Sequence, residues 1–165
     1  VTQSDPIPNP QYLTAEAVAN WFINQSIEAN QPFGLIKLQR LLFFAHGWCL
    51  ALYGLPLLRD QVEAGDYAPV FPSIQKFGEV YGSNPVSSFL KISGSQSLPA
   101  VSENDPRIPL LQKIWEVYGK CTDVHLCRIA TEKEGPWDTT RKLNPGRTGT
   151  NIPDTLLESH FKSLL

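Results

Sequence analysis

The chain of 165 residues has no methionine and only three cysteines, Cys49, Cys121 and Cys127. Three thiols cannot all pair within one chain, and their spacing is not that of a disulfide framework, so free thiols in a reducing, cytoplasmic setting are expected. Long apolar stretches are missing too. Runs such as Leu41 to Ala45 fall far short of a bilayer span, so no membrane partner is expected. The opening VTQSDPIPNP shows neither the basic region nor the apolar core of a signal peptide. Charge of one sign is not in excess: 14 Lys and Arg stand against 16 Asp and Glu, for a net charge of -2. That balance argues against a nucleic-acid partner held mainly through phosphate neutralisation. The sequence shows no repeat, heptad array or low-complexity tract, and no G-x-S-x-G, Walker, H-E-x-x-H or dinucleotide fingerprint. A non-enzymic protein acting without cofactor is the expectation.

What is present is enough apolar material, 42% of residues with 10% aromatic, to build one core. Residues 1–13, with three prolines, read as a mobile arm. Residues 14–165 read as a single mainly α domain, a compact bundle of six or seven helices. Thr14 is placed to cap a helix through AEAVANWFINQSIEAN, with Val18, Trp21 and Phe22 as its apolar stripe. In IKLQRLLFFAHGWCLALYG, Leu38, Leu41, Leu42, Ala45, Cys49 and Leu52 share one face, and Phe43, Phe44, Trp48 and Leu50 widen it almost all the way round. That pattern predicts a buried central helix over 35–53, stopped by Gly54. Residues 58–72 read as a loop with at most a small β-hairpin, and Pro72 opens a short helix closed at Gly82. The stretch 82–107 is long for a structureless connection, so it is either a mobile functional loop or hides an element near VSSFLKI. Asp105 is the expected cap of the next helix, Thr122 or Asp123 that of HLCRIATEKE. A short helical turn starts at Trp137, and a last helix starts at Pro153 and Asp154.

Few side chains suggest chemistry. Cys121, His125 and Cys127 fall within seven residues but lack paired knuckles and a fourth ligand, so no metal is expected. His46 and Cys49 are three apart on the core helix, the spacing of a base and a thiol nucleophile, yet Cys49 points into the densest apolar face, where desolvation suppresses reactivity. No catalytic residue is assigned, and Glu63 and Asp66 read as solvated loop charges. The distinctive segment is EAGDYAPVFPSIQKF, in which Tyr67, Phe71, Ile74 and Gln75 are the candidate protein-binding residues, because rigid aromatics serve such patches. Pro136 sets the turn before Trp137, which plugs the end of the bundle.

Three segments in order, KLQRLLFFAHGWCLALYGLPLL (37–58), VEAGDYAPVFPSI (62–74) and LCRIATEKEGPW (126–137), resemble the Panacea domain family of phage-associated proteins. The resemblance covers about residues 15–165. Its motif positions here are Leu38, Leu41, Leu42, His46, Trp48, Pro69, Pro136 and Trp137. The resemblance implies a mainly helical fold and an antitoxin that neutralises a cognate toxin by direct binding. Some relatives act as adaptors that deliver the toxin to a Clp-type protease, and a secreted effector or enzyme on the same scaffold is a further alternative. The chain departs from the pattern at Gly65, Ala68 and Gln75, and at Ala130 and Thr131, where members usually carry Thr-His. These departures disfavour a shared chemistry and leave surface recognition.

Overall fold

A computed structural model describes residues 11–165, and most of the arm predicted over 1–13 lies outside them. Its last residue is held, because Leu13 donates to Leu57 O at 3.0 Å and accepts from Arg59 N at 2.8 Å. Among the described residues there are six helices of at least two turns: α1 (Ala15–Ala29), α2 (Leu35–Tyr53), α5 (Ile108–Tyr118), α6 (Asp123–Ala130), α7 (Pro136–Leu143) and α8 (Asp154–Ser163). Two single turns, α3 (Pro72–Gln75) and α4 (Gly78–Tyr81), replace the one short helix expected after Pro72. The fold is mainly α, with one antiparallel ribbon of β1 (Glu63–Ala64) and β2 (Pro69–Val70) paired Glu63 to Val70 and Ala64 to Pro69.

Helix α2 spans the residues its periodicity predicts, from Gly34 to a left-handed Gly54 that only glycine adopts without strain. By length and composition alone it could cross a membrane, but 72% of its most apolar window is buried, as in a core helix. Its sides pack against α1, α5, α6 and α8. The approach of α8 is close because Gly47 has no side chain: a β-carbon there would lie 2.2 Å from the Phe161 ring. Phe43, Trp48 and Phe161 meet edge to face, while Phe44 stacks on Tyr118 with centroids 4.3 Å apart.

Two expectations are corrected here. Residues 82–107 contain no helix or strand, and they lie against the bundle as a tethered strap. The Asn20 amide holds the strap by accepting from Leu90 N at 2.7 Å and donating to Leu90 O and Pro99 O, and Val86 and Leu90 are buried. Asp105 does not act as a simple helix cap. It forms a two-pronged ion pair with the buried Arg107, at 2.9 Å to Nε and 2.8 Å to Nη2. Burial opposes the Asp105 charge, but the Arg107 hydrogen bonds outweigh it and hold the carboxyl below the usual carboxylate range.

Candidate functional site

The site forms where the three resemblance-bearing segments converge, around the turn Gly65-Asp66-Tyr67-Ala68 between β1 and β2. A two-residue ribbon carries too few hydrogen bonds to fix itself, so other elements supply them. From α2, Gln39 acts as a surrogate strand partner: its carbonyl accepts from Phe71 N at 2.8 Å and its amide donates to Phe71 O at 3.1 Å. The next residue of α2 is Arg40, and its guanidinium donates to Pro69 O. From α7, Trp137 donates to Gly65 O at 2.8 Å, and Arg141 lies over the Trp137 ring and pairs with Asp66 at 3.2 Å. On the far side of β1, Ala64 N donates to Thr150 O and Ile152 N to Val62 O. Gly65 cannot carry a side chain, since a β-carbon would fall 2.7 Å from Ala68 O.

This frame sorts the candidate binding residues. Tyr67 stands at the tip, 92% exposed, and Gln75 is also at the surface. Phe71 and Ile74 are fully buried, which corrects their reading as contact residues: both belong to the core that anchors the hairpin. Leu38, Leu41 and Leu42 are buried on α2, Pro69 is buried within β2 and Pro136 at the start of α7, and Trp48 and Trp137 are half-buried. His46 is structural in its geometry. Its Nδ1 accepts from Leu58 N at 3.3 Å, which leaves the proton on Nε2 to be donated to Asp154 at 2.9 Å. It thereby ties α2 to the chain before β1 and to α8.

Beside the turn lies a cavity of about 730 Å³, walled by Ile36, Tyr67, Val70 and Gln75 and reached from inside by Arg40 and Cys127. Arg40 is 6% exposed. Burial pushes its guanidinium below its ordinary value, against the Cys127 side chain and the charge of Asp123. Sequence reasoning missed Gln39, Arg40 and Arg141. For Gln39 and Arg40 the available signal was two adjacent polar residues inside a largely apolar helix, a pattern that persists only if they have partners.

The other reactive groups are dispersed. Burial pushes the Cys49 thiol up to about 12, and it faces the Arg107–Asp105 pair rather than solvent. Cys121 contacts Val117 O, His125 pairs with Arg128 at 2.9 Å, and Cys127 lines the cavity. Among the described residues no three His, Cys, Asp or Glu side chains cluster as metal ligands.

Comparison with known proteins supplies the kinship. Antitoxin SocA of Caulobacter vibrioides is 26% identical over 161 aligned positions, covering 93% of this chain and 85% of that protein. No solved structure matches. The sequence model of the family described as "Antitoxin SocA-like, Panacea domain" matches residues 38–138, the span that holds most of α2, the hairpin, the strap and the start of α7, and the chain belongs to that family.

Proposed function

We propose that this protein is a cytoplasmic antitoxin that neutralises one cognate toxin by direct, stoichiometric binding, without turnover or cofactor, and that the β1–β2 turn is its contact surface. The observation that carries the reading is Tyr67: a large aromatic, 92% exposed, on a turn immobilised by bonds from α2 and α7. Holding such a side chain in water gains nothing for the fold, whereas a rigid aromatic with little rotamer entropy to lose is well suited to anchor an interface. Ile36, 53% exposed at the other wall of the cavity, extends the apolar surface. The antitoxin relative supports the class of partner.

The test is co-expression with the product of the adjacent gene. This chain should restore growth that the product alone prevents, and Tyr67→Ala should weaken the complex by about 2 kcal/mol or more without altering the helical spectrum. Absence of toxicity from either neighbouring gene rejects the antitoxin reading. Unchanged affinity of Tyr67→Ala removes the turn from the interface.

A further inference from the structure

The cavity beside the turn contains an unmet chemical demand. Arg40 emerges from the core helix, and its guanidinium offers five donors in a planar fork. The structure supplies one oxygen, the Pro69 carbonyl, with the Cys127 side chain alongside and the charge of Asp123 acting from farther off, and the Arg40 Nε has no hydrogen-bond partner although it is covered. Among the described residues no carboxylate lies within ion-pair distance of it. The other buried arginine, Arg107, also has one covered nitrogen without a partner, Nη1, but its Nε and Nη2 are held by both oxygens of Asp105, a carboxylate pairing that Arg40 lacks. Two acids also border the cavity. Asp66 is engaged by Arg141, the Glu63 carboxylate lies beside Gly149, and neither is within ion-pair distance of Arg40.

We infer that the cavity receives an Asp or Glu side chain of the bound protein partner, with Arg40 as its counter-ion. A guanidinium and a carboxylate match in a two-pronged geometry that a neutral carbonyl cannot reproduce, and the apolar side chains of Ile36 and Val70 flank the pair. Docking includes a tilt of the guanidinium toward the cavity, pivoting on its bond to Pro69, which brings the covered Nε to the ligand. The volume of about 730 Å³ accommodates the acidic side chain together with the short segment that bears it. The inference rests on the protein-binding reading above and adds the chemistry of the inserted group.

The direct test uses the wild-type chain and needs no toxin. The Arg40 Nε–Hε resonance is followed by NMR during titration with N-acetyl-aspartate amide, with N-acetyl-asparagine amide and sodium chloride at equal ionic strength as controls. The aspartyl probe should shift that resonance progressively and the controls should not. An equal response to the asparaginyl probe or to salt, or no response at all, overturns the inference and leaves the antitoxin reading standing. In the complex with the adjacent gene product, Arg40→Gln should weaken binding by about a hundredfold, as should one acid-to-amide change on the partner, and the two together should weaken it no further. Full affinity of a folded Arg40→Gln variant also overturns the inference. A shift with the aspartyl probe beside failure of the adjacent product to bind supports the carboxylate site and rejects the partner assignment.

Discussion

The two sides of α2 are built on different physics. Toward α8, Gly47 lets Phe161 sink against the helix, Phe43, Trp48 and Phe161 interlock edge to face, and the His46–Asp154 bond adds a polar tie at the start of α8. Toward the hairpin, Gln39 and Arg40 reach out with hydrogen bonds to Phe71 and Pro69, and the element they hold ends in an exposed Tyr67. The first side is a seal whose merit is volume. The second is a mount, in which buried polar groups pay for directional control of a ribbon too short to order itself. Stability therefore resides mainly in the α8 side and the hairpin's roots, while the proposed recognition falls on its tip.

The sharpest way to break this division is at the mount's apolar root. Phe71→Ala empties a fully buried ring site and should cost about 3 to 5 kcal/mol of stability, read as a lower midpoint in chemical denaturation, with binding lost only as far as the chain unfolds. On the α8 side, Gly47→Ala forces a methyl into the Phe161 ring. It should cost about 1 to 3 kcal/mol by the same measurement and leave the affinity of the folded fraction unchanged.

A third test probes, through pH, the buried face of α2 that meets the Arg107–Asp105 pair. The folded state keeps Cys49 protonated up to about 12 against an ordinary 9.0, so above pH 9 the unfolded chain releases the proton first and unfolding is favoured as pH rises. Stability should fall by up to about 1.4 kcal/mol per pH unit between those values from this group, and a Cys49→Ala variant should show a shallower decline in parallel denaturation series. The smallest effect is expected from Trp137→Phe, which deletes the bond to Gly65 O while keeping most of the ring. Amide exchange at Ala64 and Phe71, whose N–H groups the hairpin's bonds protect, should quicken by the equivalent of about 1 kcal/mol, while the exchange of α2 stays unchanged.

Much of this arrangement was legible in the chain. The bounds of α2 follow from a periodic apolar run between Gly34 and Gly54, and the hairpin follows from turn formers set between short apolar pairs. The split of EAGDYAPVFPSIQKF into an exposed Tyr67 and a buried Phe71 was not legible. Both are aromatics in a Pro-rich loop, and what separates them is an amide on Gln39, 32 positions away, that draws the Phe71 backbone inward. The strap over 82–107 escaped for the same reason: Asn20, 70 positions from Leu90, supplies the bonds that a strand neighbour would. Asp105 looked like a cap because its spacing from Pro106 and Pro109 is that of a helix start, whereas the nearby Arg107 claims both its oxygens.

Hydrogen–deuterium exchange of the protein alone and bound to the adjacent gene product tests the central claim most directly. The account predicts new protection at residues 65–68, where Tyr67 leaves the surface exposed in the free chain, with no change on the outer face of α8. Protection confined to α8, with the β1–β2 turn exchanging as in the free protein, would contradict it.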